Sequence, residues 1–148
     1  MQFFIAASLF AAIGSSAAVH SRADPTTSSS LSQMCHTNST LIADGHNQGP
    51  FLIAACKDSA NAYVTSILRL NYCVGNQGGN LVGQDSGGYG SSCWEQKIDD
   101  DGVTLKATCL IKDNLNNPSA SVNLSTVVNA GPDGKLTCFG HTADAILG

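Results

Sequence analysis

The chain has 148 residues, with 11 acidic and 7 basic side chains and a formal net charge of −4. That length holds one or two small domains and excludes a large multidomain enzyme. The acidic balance excludes the basic face that a nucleic-acid binder needs, and six cysteines predict an oxidising compartment with disulfides.

Residues 3–13 form an apolar run broken only by Ser8. It is too short to span a bilayer and suits a secretory leader, residues 1–18, cut at the small residues Ser16, Ala17 and Ala18. Residues 19–30 are polar, with Pro25 and a hydroxyl cluster, and are read as a flexible arm. No later segment has the length and apolarity of a membrane helix. The expectation is a secreted, extracellular protein without a membrane or nucleic-acid partner. Sequons at Asn38 and Asn123 predict a glycoprotein, whereas Pro118 disqualifies Asn117.

From residue 31 onwards the chain repeats itself. Repeat one, residues 31–83, carries Cys35, then Leu52-Ile53-Ala54-Ala55-Cys56, Ile67-Leu68-Arg69-Leu70 and Gly79-Asn80-Leu81. Repeat two, residues 89–140, carries Cys93, then Leu105-Lys106-Ala107-Thr108-Cys109, Ser121-Val122-Asn123-Leu124 and Gly134-Lys135-Leu136. The shared skeleton is Cys, Leu-x-Ala-x-Cys, apolar-x-Leu, Gly-x-Leu. Together the repeats make one domain over residues 31–140, with 141–148 left as a C-terminal tail.

The repeated elements read as strands. Leu105, Ala107, Cys109 and Ile111 share one face of the segment 104–112, and Thr104, Lys106, Thr108 and Lys112 the other, a period of two. Leu52, Ala54 and Cys56 repeat the inward set. Val64, Ser66, Leu68 and Leu70 match Ala120, Val122 and Leu124, which turns Asn123 outward. Short helical turns are expected after Leu70 and Leu124. Turn residues cluster at 44–50, 99–102, 113–118 and 129–134. The Gly-rich stretch 75–91 lacks the lysine and βαβ setting of a phosphate loop and is read as a hinge joining the halves. The fold class is all-β, built as two quasi-equivalent units.

Six cysteines allow fifteen pairings. Bridges Cys35–Cys56 and Cys93–Cys109 respect the repeat; Cys73 and Cys138 occupy non-equivalent positions, and whether they pair stays open. A zinc site lacks support: there is no CxxC pair, and His20, His36, His46 and His141 show no ligand spacing. Catalytic chemistry fares no better. Asp99-Asp100-Asp101 before Gly102 reads as a solvated hairpin turn, and nothing pairs His36 or His141 with an obvious Ser or Asp. Trp94 beside Cys93 reads as packing on a disulfide rather than as a sugar platform. No enzyme, metal or cofactor is expected.

The repeat resembles the cyanovirin-N homology family of sugar-binding proteins. The residues that carry the likeness are Leu31-Ser32-Gln33-Met34-Cys35, Leu52-Ile53-Ala54-Ala55-Cys56 and, above all, Leu70-Asn71-Tyr72-Cys73-Val74-Gly75-Asn76-Gln77-Gly78-Gly79-Asn80-Leu81. Repeat two answers with Leu124-Ser125-Thr126-Val127-Val128-Asn129 and Asp133-Gly134-Lys135-Leu136. The resemblance implies two pseudo-symmetric units, each a triple-stranded sheet plus a β-hairpin, with strands exchanged between the repeats. It also implies intra-repeat disulfides, a monomer or strand-swapped dimer, and lectin activity toward mannose-type glycans at up to two sites.

Carried over residue by residue, a first site draws on Gln33, Met34, Lys57, Ser59 and Asp133. A second draws on Asn76, Gly78, Ser91, Ser92, Ile111 and Lys112. Three departures stand out. Gly78 replaces the family's Asp, Ser91 replaces a Glu, and Pro132 interrupts the last turn. The alternative reading is a secreted interaction or effector protein that keeps the scaffold without binding sugar.

Overall fold

The computed structural model describes residues 29–36, 40–43 and 49–146. The leader (1–18), Asn38, His20, His46 and most of the 44–50 turn lie outside the described residues. The strands are β1 (Ser29–Ser30), β2 (Thr40–Ala43), β3 (Pro50–Lys57), β4 (Tyr63–Arg69), β5 (Val74–Gln77), β6 (Asn80–Gly83), β7 (Cys93–Ile98), β8 (Thr104–Lys112), β9 (Leu115–Asn123), β10 (Asn129–Ala130), β11 (Leu136–Cys138), β12 (His141–Thr142) and β13 (Asp144–Ala145). One helical turn, α1 (Leu31–Met34), precedes Cys35, and short 3₁₀ turns span Leu70–Tyr72, Tyr89–Ser91 and Leu124–Thr126.

Each repeat contributes an antiparallel three-stranded meander, β2-β3-β4 and β7-β8-β9. Each also contributes a hairpin, β5-β6 and β10-β11. Period-two patterning selects the buried face as expected: Leu52, Ala54, Cys56, Leu105, Ala107 and Cys109 are buried. Leu68 and Leu70 match Ala120 and Leu124, also buried, and the 3₁₀ turns begin at Leu70 and Leu124.

The hairpins change places. The β5-β6 hairpin of repeat one lies against the β8-β9 strands of repeat two, held by Asn117 Nδ2 donating to Gly79 O at 2.8 Å. The β10-β11 hairpin of repeat two lies against repeat one, where Leu136 N–H donates to the buried Ser66 hydroxyl at 3.0 Å. The two repeat starts cross in the same way. Leu31 N donates to Val128 O and Gly88 N to Asn71 O. Ser125 Oγ accepts from Ser32 N, and Asn71 Oδ1 accepts from Gly90 N. Leu31 and Tyr89 take equivalent fully buried places. Burial pushes the Tyr89 phenol far above its ordinary pKa. One continuous core runs through both repeats.

All six cysteines pair, as Cys35–Cys56, Cys93–Cys109 and Cys73–Cys138. The third bridge answers the question left open by the repeat and ties the start of the β5-β6 hairpin to the end of β11.

Several expectations need correction. Residues 75–91 are not a hinge but a hairpin and a 3₁₀ turn, with Leu81 and Tyr89 buried. Tertiary docking, invisible to local composition, orders them. Pro118 falls within β9 rather than in a turn. It sits where the β8-β9 register shifts, so its missing N–H leaves no ladder position unfilled. Ile111 is 44% exposed rather than inward, because the register shifts again near the end of β8. Ser29–Ser30, assigned to the arm, pair with β10. Residues 141–146, left as a tail, supply β12 and β13, which pair with β11 and β4, and Ala143 is buried between them.

Candidate functional site

The first candidate site is assembled from both repeats. Cys35 pairs with Cys56 across an isolated bridge, which brings the exposed Gln33 turn beside the end of β3. Lys57 follows Cys56 directly. The loop after it is rigid: Asp58 Oδ1 accepts from Ala60 N (2.8 Å) and Ala62 N (2.9 Å), and Asn61 takes a left-handed backbone, φ 61°. Ser59 N donates to Pro132 O at 2.8 Å, clasping this loop to the 131–134 turn of repeat two. Gly134, at φ 74°, closes that turn. A Cβ there would lie 2.9 Å from Val64 Cβ and 3.0 Å from Cys56 O, so no side chain fits. Pro132, which interrupts the family pattern in sequence, supplies the carbonyl of this clasp.

The clasp leaves Ser59 and Asp133 exposed, with Lys57 half-buried beside them. Asp133 Oδ1 accepts from Lys135 N at 3.1 Å, and Oδ2 lies 3.7 Å from Lys135 Nζ. No sequence motif singles out Lys135. None singles out Tyr63 either, whose ring stacks on His36 with centroids 4.0 Å apart and lies 5.6 Å from Lys57 Nζ. The Lys57↔Tyr63 pairing comes from the β3-β4 register.

The second candidate site is different. Asn76 Nδ2 donates to Ser92 Oγ (3.0 Å) and Leu110 O (2.8 Å), and its Oδ1 accepts from Gly79 N (2.8 Å). Ser91 Oγ donates to Gly88 O at 2.9 Å. Gly79 has φ 89° and abuts Ile111: a Cβ there would come within 2.5 Å of Ile111 Cγ1. Asn76 and Ser92 are therefore engaged in docking the β5-β6 hairpin, and Ser91 is bonded within its own 3₁₀ turn. Gly78 stands open at the hairpin tip, and Lys112 extends into solvent, 3.8 Å from Asp113.

The acidic 99–101 cluster is structural. Asp101 caps the β7-β8 turn, accepting from Val103 N and Thr104 N, and Asp99 pairs with Lys106. The Lys106 ammonium holds the Asp99 carboxyl below the ordinary range, and the Thr104 hydroxyl, with these two backbone N–H groups, does the same for Asp101. His36 and His141 do not form one site, since each is paired with a different tyrosine. His141 stacks on Tyr72 at 4.5 Å and meets Asp85 at 2.8 Å. That contact holds the Asp85 carboxyl low. Phe139 reaches the space in front of Gly83. Among the described residues, no group of three His, Cys, Asp or Glu could hold a metal, and no helix is long and apolar enough to cross a membrane.

The family model of the CVNH domain matches residues 31–137. The chain belongs to the CVNH family. Among solved CVNH structures, the Gibberella zeae protein is 28% identical, covering 71% of this chain and 96% of that one, with a TM-score of 0.53. The microvirin:mannobiose complex is 21% identical, covering 74% and 98%, with a TM-score of 0.54. A MoCVNH3 variant in complex with (N-GlcNAc)4 is 16% identical, covering 68% and 93%, with a TM-score of 0.56. The last two likenesses concern the CVNH fold alone. A comparison with curated protein sequences returns no match.

Proposed function

We propose that this chain is a secreted, non-catalytic lectin that takes mannose-type glycans at the first site. The observation that carries the reading is the clasp between the 58–62 loop and the 131–134 turn. It holds a cation, a hydroxyl and a carboxylate (Lys57, Ser59 and Asp133) at the repeat junction on rigid main chain. Sugar hydroxyls both donate and accept. A site that keeps acceptors and donors fixed and hydrated matches them without reorganisation. Gln33 adds an amide from the neighbouring turn, and Lys135 holds the Asp133 carboxylate in place. Family membership and the mannobiose bound to microvirin support the ligand class.

The leader, the Asn123 sequon on an exposed strand end and the disulfides support secretion and glycosylation. A second reading, an interaction protein that keeps the scaffold without binding sugar, draws on the second site, whose Asn76, Ser91 and Ser92 are already bonded within the fold.

The test is calorimetric titration of the oxidised protein with mannobiose. Binding that weakens at least about tenfold in Asp133→Ala, a loss of about 1.4 kcal/mol, supports the lectin reading. A folded, disulfide-intact protein that binds neither mannobiose nor any glycan on an array overturns it.

A further inference from the structure

Trp94 is the chain's one tryptophan, and it lies on the surface beside the buried Cys93. Its side chain is 41% exposed, because Cys93↔Cys109 pair inward while Trp94↔Thr108 pair on the outer face of the β7-β8-β9 sheet. Regular alternation would then send Glu95 into the core. A β-bulge between Trp94 and Lys97 prevents this. Glu95 takes a left-handed backbone, φ 54°, and turns outward, where its Oε2 accepts from Thr108 Oγ1 at 2.9 Å. Gln96 turns inward instead, its Nε2 donating to Cys93 O at 3.0 Å. The bulge thus sets an indole and a carboxylate side by side on one surface at the cost of a strained non-glycine residue, a device concentrated at functional sites.

Beside Trp94, reached through its cross-strand partner Thr108, the same surface forms an open groove of about 530 Å³, lined by Glu95, Lys97, Lys106 and Thr108 together with Ala107, Pro118, Ser119 and Ser121. One carboxylate faces two ammonium groups, and Asp99 engages one of them, Lys106, at 2.5 Å. The charges therefore nearly cancel. A strongly anionic or cationic partner has little to gain here, whereas an uncharged polyhydroxyl ligand finds both donors and acceptors. An exposed indole adds an apolar plate. It suits pyranose rings whose hydroxyls are all equatorial, because these present axial C–H bonds on both flat faces; mannose, with its axial 2-hydroxyl, spoils one face.

We propose that this groove is a third glycan-binding surface, separate from both repeat-junction sites, which takes a β-linked oligosaccharide of gluco-configured rings across Trp94, Glu95 and Thr108. The proposal does not depend on the mannose reading of the first site.

Because Trp94 is the sole tryptophan, its emission reports on this surface directly. The experiment titrates the oxidised protein with cellotetraose and, separately, with tetra-N-acetylchitotetraose, following tryptophan fluorescence and calorimetry. The expected result is a saturable change with at least one tetrasaccharide, kept in Asp133→Ala. Affinity should fall at least about tenfold in Glu95→Gly. Glycine suits the left-handed backbone better than glutamate, so this variant keeps the fold while removing the carboxylate. Trp94→Ala should abolish the calorimetric signal. Response to cellotetraose alone assigns plain glucose units, and response to the chitin oligomer alone assigns the acetamido sugar. Absence of a response to both overturns the proposal, as does a response unchanged in Glu95→Gly and Trp94→Ala.

Discussion

At the end of the molecule built by residues 57–59 and 131–135, polar side chains face water; at the end built by residues 76–79, 91–92 and 110–112, Asn76 and Ser92 face one another and the fold they hold. Both ends are reached by the same operation, a hairpin of one repeat laid on the sheet of the other. What differs is how the hairpin is fastened. The β10-β11 turn is clasped through main chain, by Ser59 N to Pro132 O, and by a glycine that admits close approach, so its side chains are spared. The β5-β6 turn is clasped through side chains, by Asn76 and Asn117. A group that anchors its own fold is not available to a ligand without breaking that anchor. Duplication therefore preserved the architecture while the two ends parted in chemistry.

Three substitutions and one change of condition would break or sharpen this contrast. The largest effect is expected from Asn76→Ala, which removes three hydrogen bonds at a partly buried contact. A loss of roughly 2–4 kcal/mol of unfolding free energy should result, with mannobiose titration at the other end unchanged. Urea unfolding measures the first and calorimetry the second; a loss below about 0.5 kcal/mol would mean that the side-chain clasp carries no weight. The matching substitution at the first end, Asp133→Ala, should show the reverse pattern, with near-native stability.

Next comes Ser66→Ala. Ser66 is fully buried, and its hydroxyl is the acceptor for Leu136 N–H where β11 crosses onto β4. Leaving that N–H unpaired should cost about 1–3 kcal/mol. Hydrogen exchange at Leu136 should accelerate selectively. Equal exchange in both proteins would rule out the hydroxyl as its partner.

The smallest effect is expected from acid. The Asp85, Asp99 and Asp101 carboxyls all sit below their ordinary range in the fold, chiefly through hydrogen bonds to His141, Lys106 and Thr104 respectively. A depressed folded-state pKa adds stability above the unfolded-state value near 4, and that stability is lost as pH falls through the lower folded-state values. All three are solvent-exposed, so the slope should be shallow. Thermal melts across acidic buffers should show midpoints steady down to about pH 4 and declining below it, with a gentler decline in Asp101→Asn. Melts that rise on acidification would contradict the sign.

Much of this architecture is legible in the sequence because its causes are local or repeated. Period two selects the inward faces of β3, β4 and β8, and the duplication places Leu70 beside Leu124 as the starts of equivalent 3₁₀ turns. The errors arise where the cause is distant. Residues 75–91 look loose by composition, yet Leu81 and Tyr89 are buried against elements far along the chain. Pro118 and Glu95 owe their settings to register shifts, which a period count cannot see because each slip reverses the face of every later residue in the strand. The first site is only partly legible. Gln33, Lys57, Ser59 and Asp133 come through resemblance, whereas Lys135 and Tyr63 enter through one ion pair and one cross-strand pairing that no motif marks.

The reciprocal placement of the hairpins also bears on how the molecule comes into being. Ser32 meets Ser125 across 93 positions and Leu136 meets Ser66 across 70, so the contacts that complete either half need the other half already synthesised. Contacts so remote in sequence carry a heavy loop-closure cost before they return any energy, which slows folding. Neither repeat is a self-sufficient module that could mature first on the ribosome and wait. The nascent chain must hold its first hairpin and the thiol of Cys73 unpartnered until residue 138 emerges, and a cell producing this protein must shelter that interval.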